Sequence, residues 1–252
     1  MIPIIIILRQ DILGNYFSWI LFLLLANNAL NAQVDSSQQL LFNQMYSAAE
    51  QEYGIHQELI KGLLFENKNQ DAKGHPYLLN YYSNQGSVIY RGRLYSNLNL
   101  RYDVHDQQVL LIYLFDNVEY KLHLQNEFIT EFTIENKKFI NDAFGANEDA
   151  KFYQVIGGDC PIKALYFWKK DLENLYANNS DKKMFSSELK ETFILFNNQL
   201  VSFNGNRSFI HKFTSKSKTA IKEYFRKNKT KVKRANDYEM ELLIEFINAL
   251  DN

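Results

Sequence analysis

Asp103-Val104-His105 sets a carboxylate and an imidazole two residues apart, a spacing that puts both on one face of an extended strand. Such a pair can orient a general base or supply two metal ligands, provided a nucleophile or third ligand arrives from elsewhere. His75 and His123 are the residues that folding could bring to it. Asp103-Val104-His105-Asp106-Gln107 also fits the entry to a turn, in which the aspartate oxygen bonds its own backbone. The turn is the preferred reading, because no partner can be identified. With Tyr102 and Val104 facing a core, alternation directs Asp103 and His105 to solvent.

Two further stretches could carry chemistry. Gly157-Gly158-Asp159-Cys160-Pro161 holds the only cysteine of the chain, but no histidine or lysine run beside it would lower the thiol pKa, and it reads as a turn with an incidental thiol. Residues 212–234 hold ten lysines and arginines against the single acid Glu223. Within this run Lys222, Arg226, Lys227, Lys229, Lys231, Lys233 and Arg234 are candidates for contact with an anionic surface. The plain alternative is a solvated helix face. No nucleic-acid-binding motif accompanies the run, so phosphate-bearing lipid headgroups or an acidic envelope protein are the expected partners rather than nucleic acid. Nucleotide-loop, dinucleotide-fold, zinc-protease and nucleophile-elbow patterns are all missing. No catalytic residue, metal or cofactor is assigned.

The elements that must position these residues begin after an export signal. FSWILFLLL (17–25) is an apolar run of signal-peptide length, and ANNALNA (26–32) supplies the small and polar residues expected before cleavage. Residues 1–32 are therefore read as a signal peptide with an over-long start, leaving Gln33 at the mature terminus. The run falls short of the ~20 residues of a membrane-spanning helix. Its loss removes Arg9 and Asp11, taking 28 bases and 29 acids to 27 and 28, so the net charge stays at −1. A global attraction to nucleic acid is absent. Aromatics at 15% with three prolines suit half-buried strands rather than disorder.

Leu40, Leu41, Met45 and Ala48 recur near helical spacing and predict a helix over 38–54, within an N-terminal segment 33–76 that ends in a polar bridge, 67–76. From Tyr77 the period becomes two. Turn signals at Asn84-Gln85-Gly86, Arg91-Gly92-Arg93, Asp106-Gln107, Asp116-Asn117, Gln125-Asn126 and Asn136-Lys137 recur every eight to twelve residues and predict an antiparallel β domain over 77–210. Further hairpins are expected at 152–168 and 193–203. Two helical patterns, 217–228 and 235–250, joined by the basic 229–234, make a C-terminal hairpin over 211–252. The fold class is α+β, mainly β: an antiparallel meander forming an open curved sheet, a sandwich or a barrel.

Gly86, Val88, Tyr90, Gly92, Tyr95, Asn97, Leu100, Tyr102 and Asp103, preceded by Gly74-His75-Pro76-Tyr77 and followed by Arg226 to Lys229 (RKNK), form a pattern that resembles one in uncharacterised exported proteins of Bacteroidota. The resemblance covers about 62–250. It implies export and a β-rich fold, lowers the case for Asp103 as a catalyst, and carries no activity with it. The leading functional expectation is a non-enzymatic binding or scaffolding protein of the periplasm or outer membrane, with a tyrosine-rich sheet surface. The alternatives are a carrier of an apolar ligand in a β cavity, and a hydrolase built around His75, Asp103 and His105.

Overall fold

The computed structural model describes residues 41, 57–60, 63–66, 68–80, 82, 84–115, 118–141, 152–174, 182–197 and 199–250. The signal peptide and, apart from the helical Leu41, the helix expected over 38–54 lie outside the described residues. The chain divides into two units, 1–60 and 61–252. In the first, α1 (Gln57–Ile60) is a single short turn of helix.

The second unit is an antiparallel sheet followed by helices. Its strands are β1 (Leu63–Leu64), β2 (Asn84–Tyr90), β3 (Arg93–Asp103), β4 (Gln108–Phe115), β5 (Val118–His123), β6 (Ile129–Ile134), β7 (Lys137–Asn141), β8 (Phe152–Ile156), β9 (Lys163–Lys169), β12 (Leu189–Phe196) and β13 (Gln199–Ser202). A separate two-stranded hairpin, β10 (Leu172–Asn174) and β11 (Lys183–Phe185), interrupts the run. The spatial order is β1-β5-β4-β3-β2-β6-β7-β8-β9-β12-β13. Without the two-residue β1 this is a ten-strand open meander, neither a sandwich nor a barrel. It consists of two meanders that start back to back at β2 and β6 and run outward in opposite directions.

Between β3 and β8 lie three strands, so in a flat sheet they would stand about 19 Å apart at ~4.8 Å per spacing. Yet the rings of Tyr102 on β3 and Phe152 on β8 are 5.9 Å apart, and Tyr102 also meets Phe132 on β6 at 5.2 Å and Phe139 on β7 at 5.3 Å. The sheet therefore rolls until its concave face fills with its own aromatic rings, all four of them fully buried. Edge-to-face packing suits such rings and adds to what their burial contributes.

Local sequence explains the roll. Gly86 pairs with Leu98 and Val88 with Tyr95, so Ser96 and Asn97 together oppose Ser87 in a bulge, with Asn97 at φ 57°. Bulges bend and twist the strand that carries them. This one also returns Tyr95, which strict alternation would place on the opposite face, to the face of Leu98, Leu100 and Tyr102, and all four are buried. The turn expected at Asn84-Gln85-Gly86 is instead the start of β2. A Cβ on Gly86 would lie 2.1 Å from Thr133 O, so the glycine is there to admit β6. The turns at 91–92, 104–107 and 135–136 form as expected. Asp116-Asn117 lies outside the described residues. Gln125-Asn126 is no hairpin turn: residues 124–128 lead from β5 to β6, held where Asn126 Nδ2 donates to Gln107 O at 2.7 Å.

The later hairpins form at β8–β9 and β12–β13, and β8 and β9 read as near-continuous apolar runs because both their faces are covered. One face, with Tyr153, Leu165, Phe167 and Phe193, forms a cluster of its own. The other, continuous with Phe152, carries Ile156, Ala164, Tyr166 and Ile194. On it pack α2 (Asn206–Ile210), α3 (Ser215–Asn228) and α4 (Asp237–Leu250), through Phe209, Ile221, Phe225, Met240, Leu243, Ile244 and Ile247. The C-terminal hairpin thus shares its core with the sheet. Gly157, at φ 102°, begins the β8–β9 turn, and a Cβ there would stand 2.5 Å from Ile244 Cγ2, so the glycine lets α4 approach.

Candidate functional site

Asp103 ends β3 where β2 no longer covers its edge, and Tyr77 pairs with it there instead. Leu78 N donates to Tyr102 O at 2.9 Å and Val104 N to Pro76 O at 3.0 Å. This strap, with Arg101 lying 5.4 Å from the Tyr77 ring, closes the outer face of the strand. Asp103 is accordingly 2% exposed, which corrects the expectation that it faces solvent; His105 is half-buried. Alternation was right about Tyr102 and Val104. It could not foresee a second layer arriving from 76–78.

The carboxylate forms the turn that the residue types suggest. Asp103 Oδ1 accepts from His105 N and from Asp106 N, both at 2.9 Å. His105 Nδ1 lies 2.9 Å from Lys170 O, and since a carbonyl can only accept, Nδ1 carries the proton. The His105 ring also meets Phe185 edge-on at 5.5 Å. Lys170, 7% exposed, is the hub: its Nζ donates to Tyr77 O at 2.7 Å and His75 O at 3.3 Å, with Glu188 at 3.9 Å. His75, Asp103 and His105 do gather around one point. His75 joins through its carbonyl, however; Asp103 Oδ1 and His105 Nδ1 are committed to backbone groups, and His105 Nε2 lies 3.9 Å from Asp106 Oδ1. Among the described residues no three His, Cys, Asp or Glu side chains form a metal set. His123 sits apart on β5, its ring 5.0 Å from Phe65.

Burial dominates the electrostatics of this knot. It pushes Asp103 above the usual carboxylate range, outweighing the two backbone N–H groups that favour the charge. It lowers Lys170 against the pull of Glu188 and Asp103. It lowers His75, helped by Lys170, and lowers His123.

The basic segment has the opposite character. Lys222, Arg226, Lys227, Lys229, Lys231, Lys233 and Arg234 are all exposed, while Ile221, Phe225 and Val232 between them are buried. The join is not slack. Asn206 Oδ1 accepts from Val232 N at 2.9 Å and its Nδ2 donates to Thr230 O at 2.8 Å, which turns the neighbouring Lys231 and Lys233 outward. Lys229 closes α3 in the left-handed conformation, and Asn236 with Glu239 forms a reciprocal cap that opens α4. Asp237 anchors that end to the sheet by accepting from Lys137 and from Gln154 Nε2, while Gln154 Oε1 accepts from Trp168 Nε1.

Among the described residues no tyrosine-rich sheet surface is found. Tyr77, Tyr90, Tyr95, Tyr102, Tyr153 and Tyr166 are core residues, and of the described tyrosines Tyr82 and Tyr238 are the strongly exposed ones. Two lysines escaped the sequence reading. Lys170 follows an apolar strand and a first lysine, with nothing to mark which of the pair turns inward. Lys190 was legible: it shares a face with Thr192 and the buried Ile194 by alternation, so it had to lie under whatever covers that face. Comparison of the chain with protein-family models, with curated proteins and with solved structures finds no match.

Proposed function

We propose that this chain is an exported, non-enzymatic binding or scaffolding protein of the cell envelope that engages an anionic surface through the basic face of its C-terminal hairpin. The observation that carries this reading is the exposure of all seven bases on a rigidly packed support. Among the described residues none of the seven forms an ion pair with an acid. Bases so placed raise the local potential although the whole protein is near neutral, and each contributes up to ~1 kcal/mol beside an anionic membrane. The signal peptide read over 1–32 and the resemblance to exported β-rich proteins support a surface outside the cytoplasm. A concave face filled by Tyr102, Phe132, Phe139 and Phe152 argues against a carrier of apolar ligands, and the use of Asp103 Oδ1 to hold a turn, with no third His, Cys, Asp or Glu gathered into a metal set beside it among the described residues, argues against a metal-dependent hydrolase.

The test is co-sedimentation of protein purified from its native envelope with anionic and neutral vesicles, and capture of acidic envelope proteins, at low and high salt. Salt-sensitive binding is expected, reduced tenfold or more when Lys229, Lys231 and Lys233 are changed to glutamate. Binding to both kinds of target that ignores charge reversal would refute the reading. A purified protein that still begins at Met1, rather than near Gln33, would refute its export.

A further inference from the structure

We propose that a cleft between β12, β13 and the basic join binds a small anionic ester, a phosphate or sulfate monoester, as a discrete site within the basic region. The cleft has a volume of about 590 Å³ and is lined by Lys190, Thr192, Phe193, Phe203, Asn204 and Lys233, among others. That volume lies within the range of small-molecule sites. Two bases line it, Lys190 of the sheet and Lys233 of the join. Its acidic lining residue, Glu191, is ion-paired with Lys169 at 2.8 Å, so its charge is already offset.

Lys190 is held for this purpose. Its Nζ lies 4.1 Å from the Tyr166 ring centroid and 5.6 Å from that of Trp168, and makes one long bond, 3.4 Å, to Ala235 O. An ammonium has three donors, so donors remain for an arriving oxyanion. Burial lowers its pKa, with Lys137 adding to the effect and Asp237 opposing it, and an anion in the cleft would offset the remaining cost of holding a poorly hydrated charge. Asn204 Oδ1 accepts from Ser208 Oγ at 3.1 Å, which leaves the amide N–H groups as donors. Phe203, which packs on the same side of β12 as Lys190, gives an apolar wall for the carbon side of an ester. These are a positively charged, hydrogen-bonding end and an apolar end in one opening, the arrangement an anionic ester needs.

The proposal deepens the anionic-surface reading, with which it shares Lys233, and rests on the same basic region. Its test uses the full chain and isothermal titration with inorganic phosphate and glycerol 3-phosphate, beside sedimentation with phosphatidylglycerol vesicles. Saturable one-to-one binding of glycerol 3-phosphate is expected, weakened tenfold or more by Lys190→Met, which keeps the stem over Tyr166, and also by Asn204→Ala, an exposed position that should not disturb folding. Lys138→Gln, at an exposed base of β7 outside the basic region, should leave this binding within about twofold. Binding of the soluble ester without vesicle binding supports the site and assigns it a free ligand. Absence of saturable binding by both soluble probes, or binding unchanged in Lys190→Met and Asn204→Ala, overturns the proposal. If vesicle binding persists in that case, the broader surface reading stands alone.

Discussion

Replacing Asp103 separates a structural carboxylate from a catalytic one. Its Oδ1 holds two backbone N–H groups at 2.9 Å in a part-buried turn. A neutral bond of this kind contributes about 1 kcal/mol net, one to a charged group about 1.5–3 kcal/mol, and a buried donor left unmet costs about 1–3 kcal/mol. Against these stands the burial of the charge, which raises the pKa of Asp103. Asp103→Ala removes both bonds, and the balance predicts a loss of about 2–3 kcal/mol. Asp103→Asn keeps an acceptor in place and removes the buried charge, so it should remain within about 1 kcal/mol of the parent. The raised folded pKa also fixes a sign. The contribution of Asp103 is fully present below its ordinary 3.8 and is lost as pH rises through the raised value, so Asp103→Asn should gain on the parent over that interval. Urea unfolding, followed by the midpoint at unchanged slope, measures all three proteins. In a chain of this size the alanine variant should melt roughly 5–10 °C lower, at ~2–4 °C per kcal/mol. If alanine costs less than about 0.5 kcal/mol, or alanine and asparagine cost the same, the carboxylate is not holding the turn and a chemical role must be reconsidered.

Two other outcomes are expected. Gly157→Ala should destabilise by about 2 kcal/mol or more in the same assay, through a strained positive φ and a Cβ placed 2.5 Å from Ile244 Cγ2; a loss under about 0.5 kcal/mol would mean α4 does not approach as described. Burial lowers His75 and His123 below their ordinary 6.5, so the stability they contribute is complete above 6.5 and is lost as pH falls through the lowered values. Unfolding midpoints should decline on acidification from that point, and His75→Gln with His123→Gln should flatten the decline; an unchanged slope in the double variant would refute this.

The sequence by itself determined the local structure. Period-two alternation at Leu98, Leu100, Tyr102 and Val104 gave the inward face of β3, the turn chemistry of Asp103 gave the Asx turn, and helical spacing gave α3 and α4 to within two residues, because each depends on neighbours within one element. The bases of α3 were also legible as outward, since the apolar Ile221 and Phe225 had to be buried. What only the tertiary structure decided is what lies on the other side of each element. Asp103 is buried because a strap some 26 residues earlier in the chain, 76–78, takes the edge that β2 leaves open. The tyrosines are core rather than surface because a bulge at Ser96-Asn97 helps roll the sheet onto itself, and rolling brings together rings that stand four strands apart in pairing order. The Lys190 cleft likewise exists only where the join folds back over β12. Alternation tells which side of a strand a residue occupies; whether that side meets water, a helix or its own sheet depends on long-range closure, which leaves no period in the chain.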